Sequence, residues 1–119
     1  MNVALLGASW KPERYSYQAM KLLAEKGYVV FPVNPLGGEI EGISVYQRLV
    51  AISEPIHTIT VYLSAKNSTP LRDEVLQAKP NRVIFNPGAE NPQMAAELRK
   101  NGIDVVEGCT LVMLKTNQF

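Results

Sequence analysis

The chain has 119 residues, 46% of them hydrophobic and 19% charged, with a formal net charge of +1. That length suits one domain that buries a core without metal or disulfide staples, and the composition excludes the disordered and fibrous classes. Near neutrality excludes a long-range field for DNA or an anionic membrane, so an anionic ligand must be held by local donors.

The first strand is the continuous apolar run Asn2 to Leu6, the pattern of a strand covered on both faces, and Gly7 marks its end. A helix is predicted from Ser16, with Ala19, Met20, Leu22, Leu23 and Ala24 near helical spacing and Gly27 as its stop. Tyr28 to Pro32 reads as a second buried strand, followed by Val33-Asn34-Pro35-Leu36-Gly37-Gly38, where no regular element can continue. Ser44 is expected to cap a short helix through Val45 to Val50, kept from extending by Pro55. His57 to Leu63 has the β-branched enrichment of a third strand. Asn67 or Ser68 then caps a helix through Leu71, Val75, Leu76 and Ala78, with Pro70 in its first turn. Arg82 to Phe85 is a short fourth strand, and Asn91-Pro92 opens a helix carrying Met94, Ala95 and Leu98 that ends at Asn101-Gly102. Ile103 to Val106 is a fifth strand. Cys109 to Leu114 is an apolar tail expected to pack back as a short helix or an extended segment.

Strands alternating with helices imply a single α/β domain: three layers built on a doubly wound parallel sheet of about five strands. Ligands of such sheets bind beyond the carboxyl ends of the strands, here Gly7-Ala8-Ser9, Asn34-Pro35, Leu63-Ser64 and Asn86-Pro87-Gly88. The backbone N–H groups after Gly7, with the helix start near Ser16, form a place for phosphate oxygens. Ser9 and Ser16 add hydroxyls, and Lys11 and Arg14 add positive charge. The alternative is that Gly7 is a plain turn and both cations are solvated. The dinucleotide fingerprint G-x-G-x-x-G is absent, since Gly7-Ala8-Ser9-Trp10-Lys11-Pro12 has its first Gly only. At the end of the second strand stands Asn34, where an NAD enzyme usually carries an acid, and an uncharged residue there suits a phosphorylated ribose better.

Gly7-Ala8-Ser9, Lys11-Pro12, Tyr15-Ser16-Tyr17, the stretch Gly27 to Pro35, Gly42 and Val45-Tyr46 together resemble the small stand-alone coenzyme A-binding proteins of bacteria. These are similar to the amino-terminal domain of the succinyl-CoA synthetase α subunit. The resemblance implies a Rossmann-like fold with CoA or an acyl-CoA lying across the strand ends. It implies that the loop Ser9 to Ser16 contacts the diphosphate. Asn34-Pro35 and the pair Gly37-Gly38 would flank the phosphorylated ribose and adenine, and Phe85-Asn86-Pro87-Gly88 would line the far side. Cys109 matches a Cys near the end of the domain in that family. The chain departs from the family at Pro35-Leu36-Gly37-Gly38, where the synthetase has a Lys in Pro-Gly-Lys-Gly-Gly. The 3'-phosphate lacks that cation unless Lys11 or Arg14 takes over.

Trp10 is either a lid stacking on adenine or pantetheine or an anchor for its own loop, and Tyr15 and Tyr17 are open in the same way. Cys109 and His57 have no second Cys or His for a disulfide or zinc site, and His57 has no catalytic neighbour in sequence. The leading expectation is a non-catalytic or accessory CoA-binding module. A compact NAD(P)-binding oxidoreductase, or a regulatory scaffold that keeps the fold without the ligand, are the alternatives. No stretch reaches the roughly 20 apolar residues of a membrane span and no charged leader precedes the first strand, so a cytoplasmic location is expected, with neither membrane nor nucleic acid as a partner. The residues leave monomer and homodimer open.

Overall fold

The computed structural model describes residues 1–119. Five strands, β1 (Asn2–Leu6), β2 (Val29–Val33), β5 (Thr58–Val61), β6 (Arg82–Phe85) and β7 (Asp104–Glu107), form one parallel sheet in the order β2-β1-β5-β6-β7. The two missing numbers are a small antiparallel hairpin, β3 (Glu39–Ile40) with β4 (Ile43–Ser44). The helices are α1 (Tyr15–Glu25), α2 (Ala65–Ser68), α3 (Arg72–Ala78), α4 (Pro92–Lys100) and α5 (Thr110–Lys115). The strand ends lie in register, with Leu6 opposite Val33 and Val61, Val61 opposite Phe85, and Phe85 opposite Glu107. One end of the sheet therefore gathers every loop that leaves a strand.

The alternation of side chains across the pleat explains why β1 is apolar throughout. Val3 and Leu5 enter one core with Tyr17, Ala19, Met20 and Leu23 of α1 and Leu111 and Leu114 of α5. Ala4 and Leu6 enter the other, with Val75 of α3 and Met94, Ala95 and Leu98 of α4. All four β1 residues are fully buried. The result is the expected three-layer, doubly wound α/β domain. The apolar tail packs as α5, with Leu111 and Leu114 buried and Val112 exposed.

Two predicted helices differ from the structure. Ser44 caps nothing: it ends β4, and the hairpin turns through Glu41 and Gly42, both at positive φ (51° and 76°), the backbone of a two-residue primed turn. Tyr46 then lies parallel to β2, its N–H donating to Pro32 O at 2.8 Å and its carbonyl accepting from Asn34 N–H at 2.9 Å. Pairing with an open strand edge prevails over a six-residue helix rich in Val and Tyr, which is marginal on its own. Only a 3₁₀ turn, Leu49–Ala51, remains. Tyr46 is a one-residue strand outside β2, so the sheet order becomes that of a Rossmann half with a vestigial third strand.

The second correction concerns Asn67 and Ser68, which lie within α2 rather than before it; Ser64 occupies the cap position and makes no side-chain cap bond. Pro70, lacking an N–H, falls in a 3₁₀ turn (Thr69–Leu71) that separates α2 from α3. Elsewhere the elements fall within a residue or two of expectation: α1 starts at Tyr15, β2 ends at Val33, β5 is the shorter Thr58–Val61 and β7 is shifted to Asp104–Glu107. No helix is long and apolar enough to cross a membrane.

Candidate functional site

Two cavities open at the carboxyl ends of the strands, and Gly7 lines both. Gly7 has φ +91°, and a Cβ there would come within 3.0 Å of Tyr62 O and 3.1 Å of Leu63 Cδ2. Only glycine lets β1 turn this close to the end of β5. The N–H groups of Gly7 and Ala8 both donate to Val33 O, at 3.3 and 3.1 Å. This corrects one expectation: the Ala8 N–H, first after Gly7, closes the gap to β2 and is not free for phosphate.

The first cavity, about 340 Å³, is bounded by Ser9, Lys11, Arg14, Tyr15, Ser16, Tyr62 and Pro87. Its donors come from the start of α1. The first N–H groups of a helix have no partner within it, and here no side chain caps them: Arg14 holds the cap position without a cap bond, and the first turn carries no acid. Ser9 Oγ accepts from the Lys11 N–H at 3.1 Å, and Lys11 O accepts from the Arg14 N–H at 3.0 Å, which folds the loop into a turn with both cations at the cavity. Ser9, Lys11, Arg14, Tyr15 and Ser16, neighbours in sequence, come together around this one cavity.

The second cavity, about 490 Å³, lies between the ends of β1, β2 and β5 and is mostly apolar, with Leu6, Val33, Pro35, Leu49, Leu63 and Leu71 among its walls. Both volumes are within the range of roughly 300–1,000 Å³ usual for ligand pockets. Asn34 faces this cavity, but its side chain is engaged: Nδ2 donates to Ala8 O at 2.9 Å and Oδ1 accepts from Leu36 N–H at 2.9 Å. Asn34 thus fixes the β1 loop against the β2 loop. Gln47, Arg48, Asn67 and Glu74 complete the walls, and sequence reasoning did not single them out as site residues. A predicted helix over 45–50 hid Gln47 and Arg48, which instead follow the vestigial strand at Tyr46 and so occupy another strand end. The Val45-Tyr46 segment was the available signal.

Ala8, Trp10, Gly37, Ser64, Asn86 and Gly88 line neither cavity; they frame them. Trp10 Nε1 donates to Glu39 O at 2.7 Å, which ties the loop after β1 to β3, while the ring remains 37% exposed. Tyr17 is buried and donates to the Glu41 carboxylate, a bond that raises its phenol pKa, whereas Tyr15 is largely exposed at the cavity mouth. Gly37 (φ +64°) lies against the Gln47 side chain. Asn86 is buried and saturated: Nδ2 donates to Thr60 Oγ1 (2.8 Å) and Val61 O (2.9 Å), and Oδ1 accepts from the Thr110 N–H (2.8 Å). It seats the first residue of α5 on the sheet. Gly88 N–H donates to Glu90 Oε1 at 2.9 Å.

Beside this knot, Tyr62 Oη is buried with no well-formed hydrogen bond, and burial first, with nearby Cys109 second, pushes its pKa up against a smaller opposing effect of the Thr110 and Thr60 hydroxyls, so that it stays neutral. Cys109 is half-buried at the start of α5. His57 pairs its Nδ1 with Thr58 Oγ1 at 2.8 Å at the opposite end of β5, away from both cavities. A further cavity of about 430 Å³, edged by Lys79, Asn81, Asn101 and Asp104, also lies at that opposite end, away from the carboxyl ends of the strands.

A parallel α/β sheet with an uncapped, cationic helix start and an apolar cleft at its switch point defines a nucleotide-binding class of domain. Residues 1–115 match the family described as CoA binding domain, and the chain belongs to that family. The match agrees with the resemblance carried by the Gly-Ala-Ser loop and by Gly27 to Pro35. The chain is 26% identical over 105 residues to an uncharacterized protein, YneT, of Bacillus subtilis, covering 88% of this chain and 78% of that one. Over 71 residues it is 38% identical to the alpha subunit of an ADP-forming acetate–CoA ligase of Pyrococcus furiosus; the match spans 55% of this chain and 15% of the subunit. A solved structure from Thermus thermophilus, 30% identical, superposes with a TM-score of 0.91 over 99% of this chain and 90% of the other.

Proposed function

We propose that the protein binds coenzyme A or an acyl-CoA across the carboxyl ends of the strands and acts as a non-catalytic or accessory module. The observation that carries the reading is the pairing of two unlike cavities through Gly7: a cationic one at the α1 start and an apolar one between β1, β2 and β5. A nucleoside diphosphate needs both. Its diphosphate takes the free N–H groups of the first turn of α1 with Lys11 and Arg14, and its adenosine enters the apolar cleft. Pro87 then borders the path leading away from the diphosphate towards Tyr62, where the pantetheine arm would run.

The donor set fits the group. Asn34 leaves the ribose end without a carboxylate, which favours a phosphorylated ribose and disfavours NAD. In this reading the residues bind and orient, and no nucleophile, base and orienting group converge beside the cavities to add a reaction. Thermal unfolding in millimolar CoA tests it. A ligand at 100 times its Kd stabilises by about 2.7 kcal/mol, so the expected result is a rise of several degrees with CoA and none with NAD. A melting temperature unmoved by CoA overturns the proposal, and a rise with NADPH alone points to an oxidoreductase instead.

A further inference from the structure

We propose that Arg48 recognises the 3'-phosphate of the bound nucleotide, so that the apolar cleft selects a phosphorylated over an unphosphorylated ribose. The proposal rests on the CoA reading and names a specificity residue within it.

The loop after β2 holds no cation: Pro35, Leu36, Gly37 and Gly38 follow Asn34, and Leu36 is 79% exposed. Lys11 and Arg14 line the other cavity, with the α1 start, where the CoA reading puts the diphosphate. Among the residues that line the cleft, Arg48 is the single cation and Glu74 the single anion. Arg48 reaches the cleft because Tyr46 pairs with the edge of β2, which places the two residues after it beside the end of that strand. The end of the second strand is where this class of sheet meets the ribose hydroxyls. Gln47 packs on Gly37, and a Cβ on Gly37 would lie 3.1 Å from Gln47 Cγ, so the two loops close on each other at the ribose end.

The state of Arg48 suits an incoming phosphate. Its side chain is 67% exposed, and one contact holds it, Nη2 to Glu74 Oε2 at 3.3 Å. Glu74 itself is 15% exposed and is steadied by the Val50 N–H, which donates to Oε1 at 3.4 Å. An ion pair open to solvent on the arginine side is weak, whereas a phosphate dianion offers the guanidinium two parallel hydrogen bonds. Glu74 therefore keeps Arg48 at the rim of the cleft, and the phosphate displaces it.

Calorimetric titration with CoA and with 3'-dephospho-CoA tests this on the full chain, in the wild type and in Arg48→Met and Lys11→Met. The wild type is expected to prefer CoA by about 10- to 100-fold, the effect of one charge-assisted contact. Arg48→Met should weaken CoA by that factor and leave 3'-dephospho-CoA unchanged, while Lys11→Met should weaken both alike. Because Arg48 is exposed, the substitution leaves the fold standing, and an unchanged melting temperature verifies it. A preference that survives Arg48→Met, or a wild type that binds both ligands equally, overturns the role of Arg48 but keeps the CoA reading. A wild type that binds neither overturns both.

Discussion

Helices α1 and α4 both begin at the carboxyl end of the sheet, and their first turns are finished in opposite ways. In α4 the protein closes its own helix. Asn91 Oδ1 accepts from the Met94 N–H at 3.2 Å, its Nδ2 donates to Ser68 Oγ at 2.9 Å and Thr69 Oγ1 at 3.0 Å, and Pro92 sits where no N–H is needed. In α1 the cap position is Arg14, whose side chain accepts nothing from the helix, and the cations Lys11 and Arg14 stand where an acid would stabilise the dipole. One start is complete without a ligand. The other leaves its first N–H groups without a side-chain cap, and only the second lines a cavity shared with the end of β1.

Charge reversal at α1 should break this contrast most strongly. Lys11→Glu with Arg14→Glu is expected to weaken CoA about 100-fold or more, roughly 2.8 kcal/mol, while the urea midpoint holds or rises slightly. Unchanged affinity in a titration would move the phosphate site away from α1. The mirror experiment is Asn91→Ala, which removes a cap and the donor to the buried Ser68 hydroxyl. Urea unfolding should show a loss of about 2 kcal/mol with CoA affinity intact, and a large loss of affinity would tie α4 to the ligand. The smallest effect sharpens the comparison. Arg14→Asp supplies α1 with the cap it lacks, so the free protein should gain about 0.5–1 kcal/mol while CoA binds about tenfold more weakly. If this variant is less stable than the wild type, the α1 start is already satisfied in the free chain.

The contrast also shows which features could be read before the structure. Asn91-Pro92 was legible because a helix cap is a local arrangement with its own residue code, and β1 was legible because burial on both faces leaves an unbroken apolar run. The hairpin of Glu39–Ile40 and Ile43–Ser44 was not, since two-residue strands carry no period and Gly42 is its only turn signal. Arg48 was hidden by the helix expected over 45–50, where Tyr46 pairs with β2 instead. Composition picked out the loops at the strand ends, but not the roles of the asparagines in them: Asn34 and Asn86 use on neighbouring protein groups the same donors and acceptors that would serve a ligand. Residue type names the capacity to bond, and only the fold names the partner.

The one-residue strand at Tyr46 has a consequence for how copies of this protein meet. An open sheet exposes two margins that invite another chain to pair, and both are blunted here. On the β2 margin Pro32 has no N–H to offer, its carbonyl is taken by Tyr46, and the next N–H, that of Asn34, is taken as well. On the β7 margin the strand begins and ends in carboxylates, Asp104 and Glu107. Growth of the sheet by strand addition is thereby discouraged at each side, which guards a small, half-apolar protein against aggregation without recourse to net charge.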